Sequence, residues 1–191
     1  MQYGNRQGIS SDLILILITI NIALYAVVAI SPEWGNSLAI EAGNIWGRPW
    51  TLLTSMFVHA GIFHIFANML ALFFFGSYLL RIMGSRQFLI TYFGGGLLGS
   101  ILFVLLGPSG QLAVGASGAI FALGGALAIL QPNLKVFIIP IPVPMPLWIA
   151  VIGGFVVLSF LPFVAWEAHL GGIVFGLVSG YLFKTRAKRY Y

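Results

Sequence analysis

The 191-residue chain contains no cysteine and only four acidic residues; nine Lys or Arg bring its charged fraction to 7%. Without cysteine there are no disulfide scaffolds, thiol nucleophiles or thiolate metal sites. A soluble domain carries charge at about a quarter of its positions. A chain this short cannot hide a 60% hydrophobic composition inside one core. A soluble globular protein is therefore excluded, and so is a disordered one. The mean hydropathy of +1.02 points the same way. Apolar runs recur along the whole length, so the chain is more than a single anchor, and its solvent is a lipid bilayer. The net charge of +5 is no sign of nucleic-acid binding, because Lys184, Arg186, Lys188 and Arg189 crowd into the last eight residues. A basic tail after an apolar span reads as an inner-leaflet anchor.

Six apolar segments are bounded by charge, Pro or Gly: residues 13–30, 59–80, 87–106, 115–130, 147–161 and 168–183. A spanning segment must satisfy its own backbone, and none of the runs alternates with period two. All six are therefore expected to be helices, not barrel strands. The first has Val27-Val28-Ala29 as a passable cleavage site, but its apolar run exceeds a signal-peptide core and reads as an uncleaved helix. The expectation is one all-α polytopic domain, residues 1–191, with both termini on the same side. The basic tail assigns that side to the cytoplasm. Eight of the nine basic residues then fall inside and only Arg48 outside, together with Glu33, Glu41 and Glu167. Residues 31–58 become a long outer loop. Its Trp34, Trp46 and Trp50 suit the interface, so the loop is expected to lie partly in the membrane. Pro140, Pro142, Pro144 and Pro146 forbid helix and impose an extended lead into the fifth span.

Polar residues within spans are costly and mark function. All three histidines fall near the outer ends of even-numbered spans: His59 and His64 with Asn68 in the second, and His169 in the sixth. The fourth opens with Gly115-Ala116-Ser117-Gly118. Spans two, four and six run in the same direction, so these residues reach similar depth. At about 1.5 Å per residue, sixteen-residue spans four and six cover about 24 Å, less than the bilayer core of about 30 Å. Helices that begin beneath the outer surface would leave a wet pocket with Ser117 and His169 at its floor. His64 and Asn68 are four apart on one helix face, where two donors could stabilise an oxyanion. The Ser117 amide is a third, and the flanking glycines allow close approach. No carboxylate is well placed to orient the base, since Glu167 is two residues before His169; a Ser–His dyad is expected. Each element also has a plainer reading. A serine among glycines, and the series Gly172, Gly176, Gly180, are common helix-packing devices.

Three motifs in this order carry a family resemblance: His59-x4-His64-x3-Asn68, Gly115-Ala116-Ser117-Gly118 and Ala168-His169-x2-Gly172-x3-Gly176. The chain resembles a rhomboid intramembrane serine protease of the minimal six-span bacterial or archaeal type, over nearly its whole length. The resemblance implies that Ser117 is the nucleophile and His169 the general base. His64, Asn68 and the Ser117 amide would form the oxyanion hole, and His59 would have a structural role at the top of span two. Gly172 and Gly176 would give the close contact of span six with span four. It further implies a cell-membrane, multi-pass enzyme that cuts other membrane proteins in or near a transmembrane segment, without a cofactor. Two departures stand out. The family's Trp-Arg pair in the first outer loop is replaced by Arg48-Pro49-Trp50-Thr51, and Phe121 replaces the tyrosine four residues after the nucleophile. The rival readings are a proteolytically inactive relative that binds membrane clients, a small transporter, and a histidine metal site. The transporter would want polar residues through the midplane, which the inner helix halves lack. The metal site lacks HExxH, and positions 59 and 64 do not share a helix face.

Overall fold

A computed structural model of the chain describes residues 6–138 and 141–187. Of the features singled out above, Pro140, Lys188 and Arg189 lie outside that range. The helices are α1 (Arg6–Ile30), α2 (Pro32–Leu38), α3 (Thr51–Thr54), α4 (Ile62–Ala71), α5 (Ser77–Met83), α6 (Ser85–Leu106), α7 (Ser117–Leu130), α8 (Leu147–Ser159) and α9 (Trp166–Ala187). A π-helical stretch, Leu72–Gly76, joins α4 to α5 into one rod, Ile62–Met83. Two antiparallel strand pairs complete the fold: β1 (Ile40–Glu41) with β2 (Leu112–Ala113), and β3 (Lys135–Ile138) with β4 (Ile141–Pro146).

Every apolar segment of the sequence is helical, and the protein is an all-α membrane bundle. Asp12–Ile30, Ile62–Met83 and Ser85–Leu106 are long and apolar enough to cross a bilayer; Ser117–Leu130 and Leu147–Ser159 are apolar but shorter. Several boundaries differ from expectation. The second segment turns helical only at Ile62, so His59 precedes the helix. The fourth starts at Ser117, not at residue 115, because Gly115 adopts a positive φ of 126° that a helix cannot contain. The last helix has 22 residues, longer than the expected 168–183. Its start at Trp166 places Glu167 in the first turn, where a carboxylate suits the helix dipole. Of the segments expected as spans four and six, only the fourth is a short helix. His169 lies in the first turn of α9, and that helix is not stunted.

Helix α7 is the hub. Gly118, Ala119, Ala122, Leu123, Gly124, Gly125, Ala126 and Leu127 are all buried, so it is covered on every side. Its small residues admit α9 at backbone contact. A Cβ built at Gly172 would collide with the Gly118 carbonyl oxygen, and one at Gly176 with that of Ala122. A Cβ at Gly180 would lie 2.9 Å from Ala126 Cα. Helix α6 closes the triangle: at Gly171, an added Cβ would lie 2.7 Å from Gly99 Cα. This is small-residue packing, which dispersion favours in lipid, where hydrophobic burial supplies no drive. The outer belt remains apolar and exposed, with Leu15, Ile16, Phe63, Phe66, Phe74 and Val157 among its residues.

The alternating prolines form β4. Leu147 N–H donates inward to the Leu134 carbonyl at 2.8 Å. Successive residues face opposite edges of a strand, so Pro144 and Pro146 present their missing N–H to the edge away from β3. The extended lead is therefore a strand whose free edge cannot donate to another strand.

Candidate active site

Ser117 is the first residue of α7, and His169 lies one turn into α9. The Gly118–Gly172 contact draws these two helix ends together. Ser117 Oγ and His169 Nε2 are 2.8 Å apart, within hydrogen-bond distance. His169 is 5% exposed, which keeps its ring out of bulk solvent. Its other nitrogen, Nδ1, is buried without a hydrogen-bond partner among the described residues, so none of their carboxylates orients the ring. The ring is held by packing instead. Phe121, one turn along α7 from Ser117, lies with its centroid 4.6 Å from that of His169 and tilted by 37°. The departure from tyrosine keeps the ring contact and drops the hydroxyl.

His64 and Asn68 sit one turn apart on α4, and both line a cavity of about 450 Å³ together with Ser117 and His169. The Ala60 amide donates to His64 Nδ1 at 3.4 Å. With Nδ1 an acceptor, the neutral ring carries its proton on Nε2. Nε2 faces Gly115: a Cβ there would lie 2.8 Å from both Nε2 and Cε1 of His64, and 3.7 Å from Ser117 Oγ. Gly115 therefore has two reasons to be glycine, its left-handed φ and the imidazole against it. Asn68 Nδ2 donates to the His64 carbonyl at 2.8 Å, using one of its two hydrogens and leaving the other free. The Ser117 N–H lies at a helix start, where backbone donors lack intrahelical partners. Three donors and a hydroxyl thus surround one cavity.

Two more of the expected residues pack beside this cavity. His59 is buried against His64, ring centroids 5.1 Å apart and edge to face, with neither ring nitrogen hydrogen-bonded among the described residues. Gly118 lets α9 approach; an added Cβ would lie 3.1 Å from the Ala168 carbonyl oxygen. A second cavity of about 290 Å³ also reaches Ser117 and Asn68, running between α4 and α8 past Ala67, Ala71, Phe75, Ala150 and Gly154. Its lining is nearly all apolar.

Sequence reasoning missed how the backbone before Ser117 is held. Gly115 N–H donates to the Ser55 carbonyl at 2.8 Å, and Leu112–Ala113 pair with Glu41–Ile40 of the 31–58 segment. Within that segment Arg48 Nη2 donates to Glu41 Oε2 and Nη1 to the Asn36 carbonyl, both at 2.6 Å. Asn44 Nδ2 adds a bond to the same carboxylate oxygen at 3.0 Å. Together these bonds hold the Glu41 carboxyl below its ordinary pKa; the Asn44 bond is the largest cause and the Arg48 bond the next. Thr51, where the family pattern has arginine, is buried and donates through Oγ1 to the Arg48 carbonyl at 2.6 Å. The available signal was that Arg48 is the sole basic residue expected outside, with Glu41 seven positions away.

Comparison with known proteins supplies the lineage. The Rhomboid domain family model matches residues 46–186. The chain is 27% identical over 192 aligned positions to Rhomboid protein 1, mitochondrial, of Saccharomyces cerevisiae, covering 89% of this chain and 53% of that protein. It is 41% identical over 93 positions to Rhomboid protease GluP of Bacillus subtilis, covering 48% of this chain and 18% of that one. It is 32% identical over 126 positions to Inactive RHOMBOID-like protein 8 of Arabidopsis thaliana, covering 65% and 35%. The chain thus spans about half the length, or less, of these relatives.

Proposed function

The chain belongs to the rhomboid family, and from that premise we propose that it is an intramembrane serine endopeptidase working through a Ser117–His169 dyad. The observation that carries the reading is the 2.8 Å contact between Ser117 Oγ and His169 Nε2, in a cavity that also exposes His64 and Asn68.

In this mechanism His169 Nε2 accepts the hydroxyl proton as Ser117 Oγ attacks a peptide carbonyl carbon. The carbonyl π electrons move onto its oxygen. The resulting oxyanion is met by the Ser117 N–H, the second Asn68 hydrogen and His64 Nε2–H, donors set in place before charge develops. The imidazolium returns its proton to the departing amine, and the C–N bond breaks to leave an ester on Ser117. Water from the larger cavity, deprotonated by His169, attacks that ester, and the proton passes back to Ser117 Oγ as the acid product leaves.

The apolar groove between α4 and α8 favours substrates presented from the membrane, meaning transmembrane or juxtamembrane segments of other proteins. The six apolar helices and the Lys/Arg distribution favour a six-span arrangement with both chain ends in the cytoplasm, in the cell membrane. GluP is named as a protease and the Arabidopsis relative as inactive. Within this family the presence of both dyad residues at hydrogen-bond distance argues for the active kind.

The test is cleavage of a tagged transmembrane substrate by the purified full chain in detergent, beside Ser117→Ala. Cleavage by the parent alone supports the proposal. Equal cleavage by both, or substrate capture with no cleavage by either, refutes it; the latter outcome would favour a client-binding role.

A further inference from the structure

The segment that carries the Ser117 amide begins as a strand paired to the outer loop. Residues 110–116 have little helix or core of their own. Gly110 N–H donates to the Ala42 carbonyl at 3.1 Å, Ala42 N–H to the Gln111 carbonyl at 2.9 Å, and Gly115 N–H to Ser55 at 2.8 Å. Their partners, Ala42 and Ser55, lie on either side of Arg48 in one loop. The geometry of the oxyanion backbone is thus borrowed from residues 40–55.

That loop is closed on itself by side-chain bonds in which Arg48 makes the longest-reaching charged contacts. Arg48 reaches back twelve residues to the Asn36 carbonyl and seven to Glu41, the residue that pairs with Leu112 across the β1–β2 ladder. Trp50 Nε1 donates to the Ser37 carbonyl at 3.2 Å and Thr54 Oγ1 to the Leu38 carbonyl at 2.9 Å, stitching the same two limbs. Glu41 and Arg48 side chains are about three-quarters covered, 25% and 26% exposed. An isolated surface pair is worth little. This one joins two charge-assisted bonds with a third from Asn44 and orders a stretch whose buried apolar residues Ile40 and Ala42 form only a small cluster with Phe103 of α6.

We infer that Arg48 and Glu41 are positioning residues: their ion pair holds the outer loop in the shape that sets the backbone of Val114–Ser117, and through it the aim of the Ser117 amide. In this chain the cation lies before Trp50 instead of after it, and Glu41 supplies the partner its position requires. The catalytic meaning of this brace rests on the protease reading above.

The experiment uses the full chain in detergent, with Arg48→Ala, Glu41→Ala and Arg48→Lys. Two quantities are measured: hydrogen exchange at the Ala42 and Gly115 amides, and kcat per active site titrated with a fluorophosphonate, alongside KM. Arg48→Ala and Glu41→Ala are expected to speed exchange at both amides, and to lower kcat per titrated site about tenfold with KM nearly unchanged, since a misplacement of about 1 Å can cost up to about 10²-fold. Arg48→Lys, which keeps the charge, should recover part of both. A purely structural role would reduce the number of titratable sites and leave kcat per site intact, and that result overturns the inference. Unchanged exchange in an active enzyme overturns the brace alone. A parent chain that neither cleaves nor labels overturns the protease reading, and with it the positioning role.

Discussion

Replacing Gly172 by alanine adds one carbon atom to α9, nine positions before its exposed Tyr181 and three after His169. At this point α7 and α9 touch through backbone. The new Cβ would collide with the Gly118 carbonyl oxygen and lie 2.8 Å from the carbonyl carbon and 3.2 Å from Cα of the same residue. Ordinary contact begins near 3.4 Å. None of these atoms belongs to a flexible side chain, so relief requires the helices to part by about 1 Å, at a cost of about 1–3 kcal/mol for overpacking. Gly118 directly follows Ser117, so the separation is transmitted to the 2.8 Å Ser117–His169 contact. A shift of that size lowers the rate about 10²-fold. Valine, with two further methyls, should go beyond this to inactivity. Gly176→Val is the parallel case, with Ala122 Cα 2.7 Å from an added Cβ. The control is Gly153→Ala on α8, where an added Cβ meets nothing within 4 Å. The assay pairs substrate cleavage with fluorophosphonate labelling of Ser117, normalised to folded protein by thermal unfolding. Gly172→Ala should label and cleave poorly while remaining folded. Normal labelling together with normal cleavage would refute the argument that this backbone contact sets the dyad distance.

Ser117→Ala and His169→Ala should each abolish cleavage with folding intact, and the double variant should be little worse than either, because a nucleophile and its base act as a unit; robust proteolysis by Ser117→Ala would end the assignment. Asn68→Ala should lower kcat by less than the 10²–10³-fold, roughly, that loss of one oxyanion donor costs in a soluble protease, because His64 and the Ser117 amide remain; full turnover would leave Asn68 a packing residue. Phe121→Ala should reduce kcat by freeing the His169 ring, which has no hydrogen bond at Nδ1 to hold it, whereas Phe121→Tyr should be close to neutral; an unaffected Phe121→Ala would show that other contacts fix the ring. The Glu41 pKa is depressed from 4.5, so its contribution to loop order is complete above that value and is lost as pH falls through the lowered one. Arg48→Ala should move the Glu41 carboxyl part of the way back up, as read by carboxyl-carbon NMR; an unmoved titration would contradict the ion pair.

The solvent, the helical class and the residues of the candidate site were readable in the chain itself. Lipid leaves a spanning backbone one economical way to satisfy its hydrogen bonds, so composition implies helices. Polar groups are costly among apolar neighbours, which drew attention to Ser117, His169, His64 and Asn68; their shared depth on co-directional helices and the three ordered motifs set them apart from other buried polar residues such as Asn21 and Thr91. The helix-face relation of His64 to Asn68 followed from period; small-residue spacing marked Gly172 and Gly176 as packing positions, and the family resemblance named the partner helix. Other features depended on partners distant in sequence. Helix α9 starts at Trp166 and α4 only at Ile62, so these ends did not coincide with the edges of the apolar runs. The prolines of β4 could be read as extended, but not as a strand, until Leu134 was there to accept the bond from Leu147. The Arg48–Glu41 pair, the β1–β2 ladder and the Ser55–Gly115 bond join residues from 7 to 73 positions apart, with no periodic signal to announce them. Local rules and the bilayer choose helices and expose costly polar groups, whereas the approach of Ser117 Oγ to His169 Nε2 across 52 residues is decided only when glycine-lined helices pack backbone to backbone.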